Sequence, residues 1–269
     1  MPSKDVLIED KDAKKASELS HTERKALVKA MMRFLVMKGL NHEPATRREM
    51  MDTVLGAEYR SKGVIKYVLG TADQQLKKTI GFRVKTIAKD KPYYVKDTYY
   101  VINTLSNDAH STDILKGQGQ AGRALLTIVL CMIYCNNDKA VTEDELFRKL
   151  STQVDERIPD KPYADPGRSA NKKRNNKHVE GLGDVHDLMT TFVKQHYLVK
   201  KSVTKPTADG GTDTTAVYTM GARYALEFGD MQLLALMAQA MGESIDPTAL
   251  LQLEEGDDSL GFTQSASQA

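Results

Sequence analysis

No stretch of this 269-residue chain approaches the roughly 20 uninterrupted apolar residues of a membrane span, and the opening MPSKDVLIEDKDAKK lacks the apolar segment of a secretory signal. A membrane protein is excluded on this reading and an intracellular one is expected. Cysteine is nearly absent: Cys131 and Cys135, four apart around the apolar run ALLTIVLCMIY, are the only two. That rules out a disulfide framework. A zinc site would need two further ligands at usable spacing, and none is offered, so the pair is expected to share one helix face as small hydrophobes. The six histidines form no HExxH and no pairing with cysteine. His186 and His196 fall at opposite ends of one predicted helix, about 15 Å apart at the usual rise. His110 with Ser111, Asp108 and Asp113 lies in a single polar loop without the shaped pocket that nucleophilic catalysis needs. No catalytic residue, no metal site and no cofactor is expected.

One motif imitates chemistry. Gly117-Gln118-Gly119-Gln120-Ala121-Gly122 fits the dinucleotide fingerprint letter by letter and precedes a helix. The fingerprint also needs a strand before it and a parallel strand after it, whereas here the helix runs into a turn and another capped helix. A linker is the expected role.

What the chain does contain is enough apolar sequence, 41%, for two compact cores, and a polarised charge. The net charge is only +2, yet residues 161–205 hold ten Lys/Arg against four Asp/Glu (+6), and residues 206–269 hold one against ten (−9). A basic block beside a polar loop is the footprint that phosphate binding leaves, and also the composition of a solvated loop.

Residues 1–18 are polar and aperiodic and read as a flexible leader. Ser20 and Glu23 then have the spacing of a capping box, and Leu27, Met31, Phe34 and Leu35 mark the apolar face of a helix ending near Asn41. Thr46 and Glu49 repeat the device for a second helix through Met50, Met51 and Val54. GVIKYVLG forms a third segment, and Thr71 with Gln74 marks a separate start for ADQQLKKTIG. FRVKTIA and TYYVINTL follow as a hairpin around a lysine-bearing loop with Pro92. Short helices running into a hairpin describe a winged helix over residues 19–105.

After a polar, Gly-rich linker at 106–121, the order recurs over 122–241. Ala124–Cys135 is an apolar helix ended by Asn136-Asn137-Asp138, and Thr142 with Glu145 caps the next. A basic insertion interrupts at 151–180. GDVHDLMTTFVKQHYL supplies a third helix, YLVKKSV and AVYTM a hairpin about Gly210-Gly211, and Ala222–Met241 a last helix. Residues 242–269 read as an acidic disordered tail. The expected fold is mainly α with small β-hairpins (α+β), arranged as tandem winged-helix domains.

Four blocks carry a family resemblance. Phe34-Leu35-Val36, Lys38, Glu43-Pro44, Thr46 and Glu49-Met50 resemble the opening of the MAGE homology domain, with its FLL segment, basic residue, EP pair and T..EM. ALLTIVLCMIYCNNDKAVTEDELFRKL, GDVHDLMTTFVKQHYL and YTMGARYALEFGDMQLLALMAQ resemble its later blocks, in order, out to residue 240. The chain departs from the pattern in having no Trp, with Met220 where the family's usual Trp precedes Gly221, in Leu35 and Val36 for the paired leucines, and in an apparent insertion at 155–178. These departures resemble the branch that serves the SMC complex of DNA repair.

The resemblance implies a non-catalytic nuclear, chromosome-bound subunit that pairs with a RING-type ubiquitin ligase subunit and a kleisin, reaches the SMC heterodimer through the kleisin, and binds double-stranded DNA. It implies Phe34, Leu35 and Val36 for the RING partner; a helix cannot bury all three on one side, so at least one should face outward. A kleisin helix needs an apolar groove, for which Tyr218, Leu226, Leu233, Leu234 and Met237 are candidates. For DNA, phosphate contacts without base reading are expected from Lys172, Lys173, Arg174, Lys177, Lys194, Lys200, Lys201 and Lys205. Two alternatives stand beside this reading. One is a sequence-specific winged-helix regulator, against which DVHDLMTTFVKQ offers one Lys, one Gln and two Asp. The other is a ubiquitin-ligase adaptor that binds no DNA.

Overall fold

The structure is a computed structural model that describes residues 3–5, 14, 16–56, 59, 62–104, 120–136, 138–160, 181–206 and 212–242. Most of the leader, the linker with His110 and the first glycines of the 117–122 run, the cluster Lys172, Lys173, Arg174 and Lys177, the Gly210-Gly211 turn and the acidic tail from 243 lie outside the described residues. The chain divides into two compact units: unit 1 comprises Met1–Asn107, Ala225–Gly229 and Asp246–Ala269, and unit 2 comprises Asp108–Tyr224 and Asp230–Ile245.

In unit 1, helix α1 (His21–Leu40) opens on the expected capping box: Ser20 Oγ accepts the Glu23 N–H, and the Glu23 carboxylate accepts the Ser20 N–H at 2.8 Å. Strand β2 (Ala45–Thr46) leads into α2 (Arg47–Met50), capped the same way by Thr46 and Glu49. The chain continues as a π-helical turn, Met51–Leu55, ended by Gly56 at φ +67. Helix α3 spans Lys62–Ile80 without a break. The expected start at Thr71 is therefore wrong: Val68, Leu69, Ala72 and Leu76 form one continuous buried row, and packing overrides a local capping signal. Strands β3 (Phe82–Ile87) and β4 (Thr98–Asn103) make the antiparallel hairpin, with β2 on β4 and β1 (Ser3–Asp5) on β3, so the strand order is β1-β3-β4-β2. The leader is thus not wholly irregular, since Ser3–Asp5 pairs with Lys85–Ile87.

The core of unit 1 is Leu27, Val28, Met31 and Leu35 of α1 against the α3 row and Phe82, Val84 and Val101 of the hairpin. Burying each such side chain stabilises the unit by about 1.5–3 kcal/mol. Gly39 lets α1 approach the sheet, because a Cβ there would stand 2.9 Å from Val101 Cγ1. Asp73, buried at 3% exposure, fastens α3 to β3 by accepting the Val84 N–H at 2.6 Å and pairing with Arg83.

Unit 2 repeats the order: α4 (Gln120–Tyr134), β5 (Ala140–Thr142), α5 (Glu143–Gln153), α6 (Val185–Lys194), β6 (Leu198–Pro206) and β7 (Thr212–Met220). Its sheet, β5-β7-β6, is antiparallel throughout. No parallel strand follows α4 among the described residues, which removes the structural basis of the dinucleotide fingerprint. Thr142 caps α5 through the Glu145 N–H, and Asp184 caps α6 through the His186 N–H. Leu125, Val129, Leu130 and Ile133 of α4, Leu146, Phe147 and Leu150 of α5, and Met189 and Phe192 of α6 fill the core.

Two local expectations are corrected. Helix α4 ends at Tyr134, so Cys135 is exposed and only Cys131 is half-buried; they do not share a buried face. The single last helix is two, α7 (Ala222–Glu227) and α8 (Gly229–Met241), separated where Gly229 takes φ +70, a left-handed conformation open to glycine.

Candidate functional site

In unit 2 the third helix α6, the start of α5 and the hairpin enclose an open cleft of about 240 Å³, lined by Glu143, His186, Met189, Thr190, Val193, Lys194, Lys200 and Tyr218. Glu143, the first residue of α5, is its hub. One carboxylate oxygen accepts from Lys200 Nζ at 2.6 Å and from Tyr218 Oη at 2.9 Å. Lys200 also lies over the Tyr218 ring, 5.5 Å from its centroid. Burial, then the hydrogen bond to Glu143 and the Glu143 charge, pushes the Tyr218 phenol well above its usual range, so it stays a neutral donor.

This clamp sorts the candidate lysines. Lys200 is committed to Glu143. Lys201 sits next in β6, where side chains alternate between faces, and it is exposed, as is Lys194 at the end of α6. The side chain of Lys205 and the four insertion cations lie outside the described residues. Sequence reasoning missed Glu143, since 57 residues separate it from Lys200 and no local pattern links them.

The apolar candidates also separate. Leu233 is fully buried and Tyr218 is 3% exposed, so both are core; Leu234 and Met237 are half-buried on α8, and Leu226, also half-buried, belongs to unit 1. Met241, 61% exposed, extends Leu234 and Met237 along one helix face at a spacing of three and four. The start of α8 is pinned within unit 2 by Asp230, which accepts from Tyr224 Oη at 2.6 Å and from Lys139 Nζ at 2.7 Å.

On α1, Leu35 is fully buried while Phe34 and Val36 are half-exposed. Phe34 and Val36 pack partly against the core, and Met37 (60% exposed) and Leu40 (45%) continue from Val36 onto the outer face, an extension that sequence reasoning missed. The signal was present in their i, i+1, i+4 spacing. Lys38, which holds Glu43 at 3.1 Å and Glu49 at 3.0 Å, fixes this end of the helix to the start of α2.

Two half-buried histidines make unit 2 sensitive to acid. His186 stacks on Phe147 with centroids 4.4 Å apart, and burial lowers its pKa, opposed by Asp184, Glu143 and Asp187 and aided by Lys200. Burial also lowers that of His196, aided by the Arg223 charge. Both folded-state values are depressed, so the stability of the neutral imidazoles is present above the ordinary value of 6.5 and is lost as pH falls through the folded-state values. The melting temperature is expected to drop as pH falls below the ordinary histidine value of 6.5, and His186→Gln with His196→Gln to flatten that drop. Equal slopes in variant and wild type would contradict the assignment. Among the described residues there is no group of side chains able to hold a metal ion and no helix long and apolar enough to cross a membrane.

The sequence matches the family described as the MAGE homology domain over residues 31–231. The chain belongs to that family. The fold of this MAGE chain is similar to a solved chain from an "Nse1-Nse3-Nse4 complex", with a TM-score of 0.61 at 20% identity, covering 89% of this chain and 100% of the other. No curated protein matches the sequence. In this MAGE chain the closing block Met220-Gly221-Ala222-Arg223 has a clear physical task. The Gly221 N–H donates to Tyr197 O at 2.8 Å, the Arg223 N–H to His196 O at 2.9 Å, and Arg223 Nε to Gln195 O at 3.1 Å. Met220, where the family's usual Trp stands by resemblance, is 2% exposed.

Proposed function

We propose that this chain is the MAGE-type subunit of an SMC complex for DNA repair and recombination, acting in the nucleus on chromosomes. It is a non-catalytic scaffold that bridges a RING-type ubiquitin ligase subunit and a kleisin, and through the kleisin reaches the SMC heterodimer. The observation that carries this reading is the family match across both units, joined to a fold similar over 89% of this chain to a chain of the Nse1-Nse3-Nse4 complex. Two incompletely buried apolar stripes support two protein partners. Phe34, Val36, Met37 and Leu40 of α1 suit the RING subunit, and Leu234, Met237 and Met241 of α8 suit an amphipathic kleisin helix.

Duplex DNA is bound by unit 2 through phosphate contacts of Lys172, Lys173, Arg174, Lys177, Lys194, Lys201 and Lys205, without base reading. Each phosphate contact contributes about 0.9 to the slope of log affinity against log salt. Reversing Lys172, Lys173, Arg174 and Lys177 to Glu is expected to cut that slope by about 3 or more and to leave the melting temperature unchanged. Unchanged affinity at moderate salt would refute the DNA assignment. Reconstitution with a RING subunit and a kleisin tests the bridging: a stable ternary complex is expected, and failure of either pairwise contact would refute it.

A further inference from the structure

We infer that unit 1 carries a duplex-DNA face of its own, made by the outward row of α3 and the loop of the β3–β4 hairpin. The inference rests on the preceding reading only for the ligand being duplex DNA; the residues and the unit are different. Tyr67, Thr71, Gln74, Gln75 and Lys78 follow one another at spacings of four, three, one and three, which places them on a single face of α3. Gln74, Gln75, Lys77 and Lys78 are exposed, and Tyr67 and Thr71 are half-buried.

The one described carboxylate on this helix, Asp73, is buried and occupied by the Val84 N–H and Arg83. The exposed charges of α3 are therefore all positive, and Lys77 and Lys78 form no ion pair among the described residues. Helix α3 is the third helix of its unit, the one that enters the major groove in three-helix variants of the helix-turn-helix, and it runs through Gly81 directly into the hairpin. The hairpin loop adds Lys89, Lys91 and Lys96, whose side chains have no carboxylate partner among the described residues. Of its two acids, Asp90 is exposed, and Asp97 lies with Arg47 beside the Tyr99 phenol.

The corresponding helix of unit 2 is a poorer fit to a groove. The outward row of α6 is Asp187, Thr190, Thr191 and Lys194, all exposed, with Asp184 as its cap. An outward carboxylate repels phosphate on both walls of a groove, whereas a paired-amide row reads adenine edges. Unit 1 thus contributes a modest base preference, and unit 2 contributes charge.

The test uses the full-length protein, a labelled 20-bp duplex and fluorescence anisotropy across about 50 to 200 mM salt. Lys77→Gln with Lys78→Gln keeps chain length and helix propensity; it is expected to lower the salt slope by about 2, with no shift in melting temperature. Gln74→Ala with Gln75→Ala is expected to leave the slope unchanged and to erase a several-fold preference between A·T-rich and G·C-rich competitors. The insertion quartet Lys172, Lys173, Arg174 and Lys177, reversed to Glu, runs in parallel. Loss of slope in the quartet with none in the Lys77 and Lys78 variant overturns this inference and leaves the reading of unit 2 standing. Loss in the α3 variant alone supports this inference and removes that reading. A wild type that binds no duplex overturns both.

Discussion

Gly221→Ala is expected to destabilise unit 2 by an amount at or above the upper end of the roughly 1–3 kcal/mol that overpacking costs. An added Cβ would stand 2.4 Å from His196 O and about 3 Å from the carbonyl carbons of His196 and Tyr197. These are backbone atoms, so no side-chain rotation relieves the clash. The turn they form cannot yield easily either. His196 already holds φ +62, and the Gly221 and Arg223 N–H groups both donate into this turn. A shift of the turn would also break the Arg223 contact to Gln195 O and uncover a buried guanidinium. For a domain of this size the melting temperature is expected to fall by about 10 °C or more. A variant that melts with the wild type would show that the turn is softer than its contacts imply.

Met237→Glu with Met241→Glu is expected to separate the chain from its kleisin while leaving it folded. Leu233 and Ala238 carry the buried side of α8, whereas Met241 is 61% exposed and Met237 only half-buried, so two carboxylates there are tolerated by the monomer. In a helix-in-groove interface, truncating an anchor residue costs about 1–2 kcal/mol or more, and a charge in an apolar contact costs at least that. The pair should weaken kleisin binding by about 10- to 100-fold in a titration of purified partners. Duplex binding, which uses other residues, should be unaffected. Full kleisin affinity in this variant would move the docking surface elsewhere.

Much of the architecture was legible where local chemistry decides it. Ser20 with Glu23 and Thr46 with Glu49 form the reciprocal caps their spacing implies, and Thr142 caps α5. Both hairpins lie where β-rich runs flank polar turns. What sequence reading missed was decided by contacts distant along the chain. Strands β2 and β5, of two and three residues, exist because β4 and β7 offer them partners, and segments that short have no periodicity to read. Helix α3 ignores the cap signal at Thr71 because its buried row continues through it. The split at Gly229 depends on one positive φ, which glycine permits without announcing.

The functional surface was harder to read because a stripe of apolar residues looks alike in a core and in a groove. Leu35 and Leu233 were candidates for partners and are fully buried; Met37 and Met241, overlooked, are the exposed members of the same helices. Lys200 looked like its neighbour Lys201, yet strand alternation turns it onto Glu143. Charge at a position is visible in sequence, whereas its pairing is not.

The most direct measurement is purification of the tagged, full-length chain from its own cells, with identification of every stoichiometric partner. A RING-domain subunit and a kleisin are expected in equal amount, with SMC proteins retained through the kleisin. Recovery of the chain alone, or with a ubiquitin ligase and no kleisin, would contradict the proposed bridging.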